Sequence, residues 1–190
     1  AEAHPETELS LVVGNYEDVV ERVRTHRDDI AFSGRPPEDE RLVAEPVMDN
    51  EIVCITAADD PLAQGGPVAT AALAERAWLL RERGSGTRAL NERFLADRGL
   101  APRTLMLGSN GAIKQAARAG VGVSLLSRAA VEAELKSSLL GEIALSDGPE
   151  VRPWFLLRSA VGPARPAVEA FAAFVTARRQ GPRPRSPRGR

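Results

Sequence analysis

Apolar positions along the chain fall into short β-rich runs separated by stretches with a helical apolar stripe. The runs ELSLVVG (8–14), DIAFSG (29–34), RLVAEPV (41–47), EIVCITA (51–57) and AWLLRE (77–82) predict strands. RTLMLGS (103–109), VGVSLLS (121–127), GEIALS (141–146) and VRPWFLLRS (151–159) predict four more. Helices are predicted over 15–26, 69–76, 86–99, 110–120, 128–137 and 164–180, the first with Val19, Val20 and Val23 as its stripe. MDN (48–50) reads as a turn and DDPLAQGG (59–66) as a loop. Strands alternating with helices predict an α/β fold of parallel sheets joined by right-handed crossovers.

Three strand-to-helix joints share one composition: VGNYED (13–18), RERGSGTR (81–88) and LGSNGAIK (107–114). Each places Gly, Ser, Asn or Thr where a strand's carboxyl end meets a helix start. Two readings stay open at such a joint. The polar residue is an N-cap, or free backbone N–H groups at the helix start hold a ligand, as they do at strand carboxyl ends in open α/β sheets. Ser85, Gly86 and Thr87 are the first candidates for contacts to an anion. Arg88 is either a bidentate partner for a carboxylate or phosphate, or a solvated first-turn residue. Ser109 and Asn110 repeat the pattern one unit later, and Asn15 and Ser33 stand at comparable positions early in the chain. Lys114, four residues into its helix, reads as solvent-facing.

Composition narrows the chemistry. The 190 residues are 43% hydrophobic and 27% charged, which is globular rather than disordered. Aromatics at 4% argue against a stacking platform for single-stranded nucleic acid, and a net charge of −1 gives no strong pull toward DNA or acidic membrane. The terminal GPRPRSPRGR, rich in arginine and without apolar residues to bury, predicts a disordered basic tail over 181–190. Cys54 is the single cysteine and reads as a small core residue. His4 and His26 are isolated, so no metal site, cofactor or catalytic constellation is expected, and the chain is not expected to be an enzyme. GSGT lacks the lysine of a phosphate loop, and GVGVS (120–124) precedes a strand rather than following one. No run approaches the ~18 apolar residues of a membrane span, and a cytoplasmic location is expected.

Several segments, in order, resemble the effector-binding domain of LysR-type transcriptional regulators: ELSLVVGNYEDVVERV with DDIAFSG, EPVMDNEIVCITAADDPLA, AWLLRERGSGTR, GSNGAIKQAARAGVGVSLLSRAAV and RPWFLLRS. The resemblance covers residues 1 to about 180. It implies two Rossmann-like subdomains of the type 2 periplasmic-binding-protein fold joined by two crossover strands. Subdomain I would hold 1–56 and 150–180, and subdomain II 57–149. Ser85, Gly86, Thr87, Arg88, Ser109 and Asn110 would face a ligand cleft from subdomain II, and Asn15 and Ser33 from subdomain I. The implied function is sensing of a small, anionic effector, with transcription controlled by conformational change. The implied partners are that effector, further copies in a homodimer or homotetramer, and DNA through a helix-turn-helix domain outside this chain. The alternative is a periplasmic-type solute-binding protein for a small anion. Against the family pattern the chain lacks the winged helix-turn-helix, the first strand of the effector domain and most of its first helix. An incomplete, loosened subdomain I is therefore expected. Val19, Val23, Ala129, Val131 and Leu135 are candidates for a dimer surface, or for core.

Overall fold

The computed structural model describes residues 8–149, 151–163 and 165–179. By backbone proximity the chain divides into two units. Val19–Met48, with the stretches before Gly14 and after Pro153, make the first; Gly14–Asp18 and Asp49–Pro153 make the second. The chain passes from one to the other at Gly14, within α1 (Tyr16–Arg24) after Asp18, and inside two strands, β2 (Leu42–Asn50) and β8 (Arg152–Ser159).

In the first unit, β1 (Ile30–Ser33) pairs antiparallel with β8, Ile30 opposite Arg158 and Ser33 opposite Phe155. The sheet order is β1–β8–β2, leaving β1 with one strand neighbour among the described residues. Side-chain alternation sends Ala31, Leu42, Ala44, Phe155 and Leu157 to one face, where Val19, Val20 and Val23 of α1 (Tyr16–Arg24) cover them. Ile30, Val47, Trp154 and Leu156 go to the other, against Ala172 and Val175 of α6 (Pro166–Arg179).

The second unit is built around β3 (Ile52–Thr56), buried at every position. It pairs antiparallel with β6 (Ser124–Ser127) and β7 (Gly141–Ile143), while β4 (Trp78–Arg81) and β5 (Thr104–Leu107) pair parallel. Backbone bonds from Leu79 to Val123 (2.8 Å) and from Val123 to Ala77 (2.9 Å) tie β4 to the start of β6. Gly122 is required there, because a Cβ would collide with the Ala77 carbonyl. Ile52, Cys54, Trp78 and Leu125 point to one face, under Phe94 and Leu95 of α3 (Gly86–Ala96). Val53, Ile55, Leu79 and Leu126 point to the other, under Ile113 and Ala117 of α4 (Asn110–Arg118) and Val131 of α5 (Arg128–Lys136). A sheet covered on both faces explains why these strands read as continuous apolar runs.

Several sequence expectations change. The sheets are mixed, since β1–β8, β3–β6 and β3–β7 are antiparallel. Relative strand direction is set by where the chain returns, which local periodicity does not encode. Residues 8–14, expected as a strand, carry no regular structure, and Leu9, Leu11, Val12 and Val13 are exposed. No ladder partner holds them among the described residues, and alternation alone does not make a strand. Met48–Asn50 extend β2 instead of turning, and the buried Asn50 side chain accepts from the Ser127 hydroxyl at 2.6 Å. The expected loop at 59–66 contains α2 (Pro61–Gln64), capped by Asp60. The helix expected at 69–76 is a single 3-10 turn, Thr70–Leu73, whose Thr70 amide and hydroxyl donate to Asp147 at 2.7 and 2.9 Å. Val23 and Val131 are fully buried within their units, so both are core rather than dimer surface. The tail at 181–190 lies outside the described residues.

Candidate functional site

The second unit gathers most of the candidate residues at one sheet edge. β4 and β5 run parallel with Arg81 opposite Leu107, so both strands end level and both following helices start together. After β4 the chain turns through Gly84, at φ +82°, a left-handed conformation that favours glycine. Ser85 then caps α3, its buried hydroxyl accepting from the Arg88 amide at 3.4 Å. After β5, Ser109 caps α4 by accepting from the Ala112 amide at 3.0 Å. Asn15 caps α1 in the same way: its side-chain oxygen accepts from the Asp18 amide at 3.0 Å, and its own amide donates to the Asp18 carboxylate at 3.4 Å. Capping therefore operates at all three joints, and at the first it does so with no strand in front of the helix.

Two arginines brace the edge. Arg81 holds the Glu82 carboxylate with two bonds (2.7 and 2.8 Å) and donates to the Asn110 side-chain oxygen at 2.7 Å. The Arg81 hydrogen bonds keep the Glu82 pKa below its ordinary value. Arg88 bonds Glu92 (2.8 Å), the Arg81 carbonyl (3.3 Å) and the Met106 sulfur (3.5 Å). Asn110 and Arg88 are thus engaged within the protein and stabilise the two helix starts. What stays open is smaller: the Gly86 and Thr87 amides and the Thr87 hydroxyl have no partner among the described residues. The exposed Arg83 beside them is also unpaired among the described residues.

Ser33 belongs to the first unit, at the end of β1, where its buried hydroxyl donates to the Arg35 carbonyl at 2.5 Å. Lys114 is not solvent-facing: it pairs with Glu134 at 2.5 Å and donates to the Ala130 carbonyl at 3.1 Å, locking α4 to α5. Burial pushes the Cys54 thiol up to about 12, leaving it protonated and unreactive. Among the described residues no His, Cys, Asp and Glu side chains group as a metal site, and no helix is long and apolar enough to cross a membrane.

The profile of the family described as LysR substrate binding domain matches residues 1–180. The chain belongs to that family. It is 35% identical over 175 residues to the RuBisCO operon transcriptional regulator of Acidithiobacillus ferrooxidans, covering 92% of this chain and 57% of that protein. It is 37% identical over 175 residues to the HTH-type transcriptional regulator CbbR of Rhizobium meliloti, covering 91% of this chain and 56% of that one. The chain thus spans little more than half the length of these curated relatives, which are transcriptional regulators rather than enzymes. Its fold matches the CcmR regulatory domain of Synechocystis PCC6803, a structure in complex with 2-PG. The TM-score is 0.87 and the identity 32%, over 94% of this chain and 86% of that one. The two-unit α/β architecture is that of LysR regulatory domains, which have the periplasmic-binding-protein-like type II fold.

Within this LysR domain, sequence reasoning missed the residues that shape the site without facing a ligand. Asn91 is fully buried; it donates to the Thr87 and Leu125 carbonyls (2.9 and 3.0 Å) and accepts from the Leu125 amide (2.9 Å). It holds the first turn of α3 against β6. The buried Ser124 hydroxyl donates to the Leu79 carbonyl at 2.7 Å and ties β6 to β4. A polar residue on the inner face of an amphipathic helix, as Asn91 is in TRALNERFLA, was the available signal. Arg81 gave none, since its partner Asn110 is 29 residues away.

Proposed function

We propose that this chain is the ligand-sensing domain of a LysR-type transcription regulator and binds a small anionic effector at the Gly84–Thr87 turn. The observation that carries the reading is the pair of unpartnered amides of Gly86 and Thr87 at the start of α3, with the Thr87 hydroxyl beside them. Unpaired N–H groups at a helix N-terminus favour a carboxylate, phosphate or inorganic oxyanion. The 2-PG held by the related CcmR domain supports the same ligand class. In this reading Ser85, Ser109 and Asn110 fix the backbone that presents the amides, and Arg88 steadies α3. Asn15, which belongs with the same unit as the turn, is a further polar position for the effector.

The sensing role needs no bond-making chemistry. An effector that binds one conformation better than another shifts the population toward it. A homodimer or homotetramer, acting in the cytoplasm, would pass that shift to DNA through a helix-turn-helix domain elsewhere in the full protein. The curated relatives, described as transcriptional regulators, favour sensing over solute delivery.

The test is a thermal-shift series with 2-PG, inorganic phosphate and a panel of carboxylates. A ligand at a hundred times its Kd adds about 2.7 kcal/mol, which raises Tm by roughly 5–10 °C in a domain of this size. Thr87→Val removes the hydroxyl and keeps the shape. It should weaken the best ligand about fivefold to tenfold with the ligand-free Tm unchanged. No shift with any anion in the panel would defeat the reading.

A further inference from the structure

We propose that Glu17 is the specificity-determining residue of this site, and that the effector it selects combines its anionic group with a hydrogen-bond donor, an ammonium or a hydroxyl. The inference rests on the reading above that the turn holds an anion, and it concerns what else the ligand must carry. The first turn of α1 belongs with the second unit, where the Glu17 amide donates to the Gly84 carbonyl at 3.2 Å. That bond brings the Glu17 carboxylate over Gly84. A Cβ on Gly84 would lie 2.7 Å from a carboxylate oxygen and 3.4 Å from the Asn15 side-chain nitrogen. Glycine at position 84 therefore serves two ends, the left-handed turn and the space for this carboxylate. Tyr16 packs over Gly86, its Cβ 3.6 Å from where a Cβ on that glycine would sit.

The neighbouring charges leave Glu17 as the one open acceptor facing the turn among the described residues. Glu82 is neutralised by Arg81, Glu92 by Arg88, and the Asp18 carboxylate folds back on the Asn15 amide. Glu17 has no side-chain partner among the described residues and is exposed. The turn thus carries donors without partners among the described residues (the Gly86 and Thr87 amides, the Thr87 hydroxyl and the neighbouring Arg83) together with the Glu17 carboxylate at Gly84. A bare anion meets the donors and is repelled by Glu17. A ligand carrying a donor a few bonds from its anion satisfies both.

The experiment measures binding of O-phosphoethanolamine and ethyl phosphate to the full chain by calorimetry. The two probes share a phosphate and a similar length, and only the first has an ammonium. A contact between unit charges about 4 Å apart in a wet site changes affinity about fivefold. The wild type should therefore prefer O-phosphoethanolamine by about that factor at low salt. Glu17→Gln should abolish the preference and tighten ethyl phosphate, and molar salt should shrink the preference in the wild type. Equal affinity of the two probes in the wild type, or a preference unchanged by Glu17→Gln, overturns the role of Glu17 and leaves the anion site standing. If neither probe binds the wild type, the anion site falls and the role of Glu17 with it.

Discussion

Asp60 is a carboxylate only 7% exposed, and its surroundings keep it charged. Burial raises its pKa, but the Leu62 amide, the Thr56 hydroxyl and Arg76 outweigh burial and leave it below the ordinary 3.8. A carboxylate with a depressed folded pKa contributes stability that is complete above the unfolded value and is lost as pH falls through the folded one. Asp60→Asn keeps the cap on α2 and loses the charge facing Arg76. Because Arg76 is partly in water, the cost is about 1 kcal/mol, or roughly 2–4 °C in Tm. We expect that loss at pH 7 and a difference in Tm between variant and wild type that shrinks progressively as the pH falls below 3.8; a constant difference across the range would show that charge is not the cause. At this scale the sequence was partly legible. Ser85 and Ser109 were recognisable as caps because capping is a contact within three residues. The engagement of Asn110 and Arg88 was not, because it depends on side chains brought together by strand pairing.

Among the elements, α3 shows how one buried amide sets a site. Asn91 satisfies both the amide and the carbonyl of Leu125 and also holds the Thr87 carbonyl. Asn91→Leu keeps the volume and orphans the buried amide and carbonyl of Leu125, each worth about 1–3 kcal/mol. We expect a fall of roughly 3 kcal/mol or more in a urea unfolding titration; a loss below about 1 kcal/mol would mean that β6 repairs its own bonding. Periodicity located α3, α4 and α5 well, since each has an apolar stripe that meets a sheet face. It failed at 8–14, where apolar residues lack a ladder partner, and at 69–76, where Asp147, distant in sequence, draws Thr70 into a tight turn.

At the scale of the whole molecule, burial is uneven. Ile55, Leu79, Leu125 and Leu126 are completely buried in a sheet covered on both faces, whereas β1 has a single strand neighbour among the described residues and Phe32 is 43% exposed. Amide hydrogen exchange should therefore be slowest in β3, β4 and β6, and fast at 9–13 and along β1; equal protection in both units would contradict this. Local sequence determined the α/β class, the apolar runs of the strands, the helix caps and the polar joints, because each depends on neighbours within a few residues. The chain's resemblance to LysR domains supplied the two-unit architecture. Only the tertiary structure decided which strands are antiparallel, that Met48–Asn50 extend β2, and that Asn91, Arg81 and Glu17 frame the turn at Gly84. Those outcomes depend on pairings across tens of residues, and in such pairings the backbone partner that satisfies a buried group outweighs local propensity.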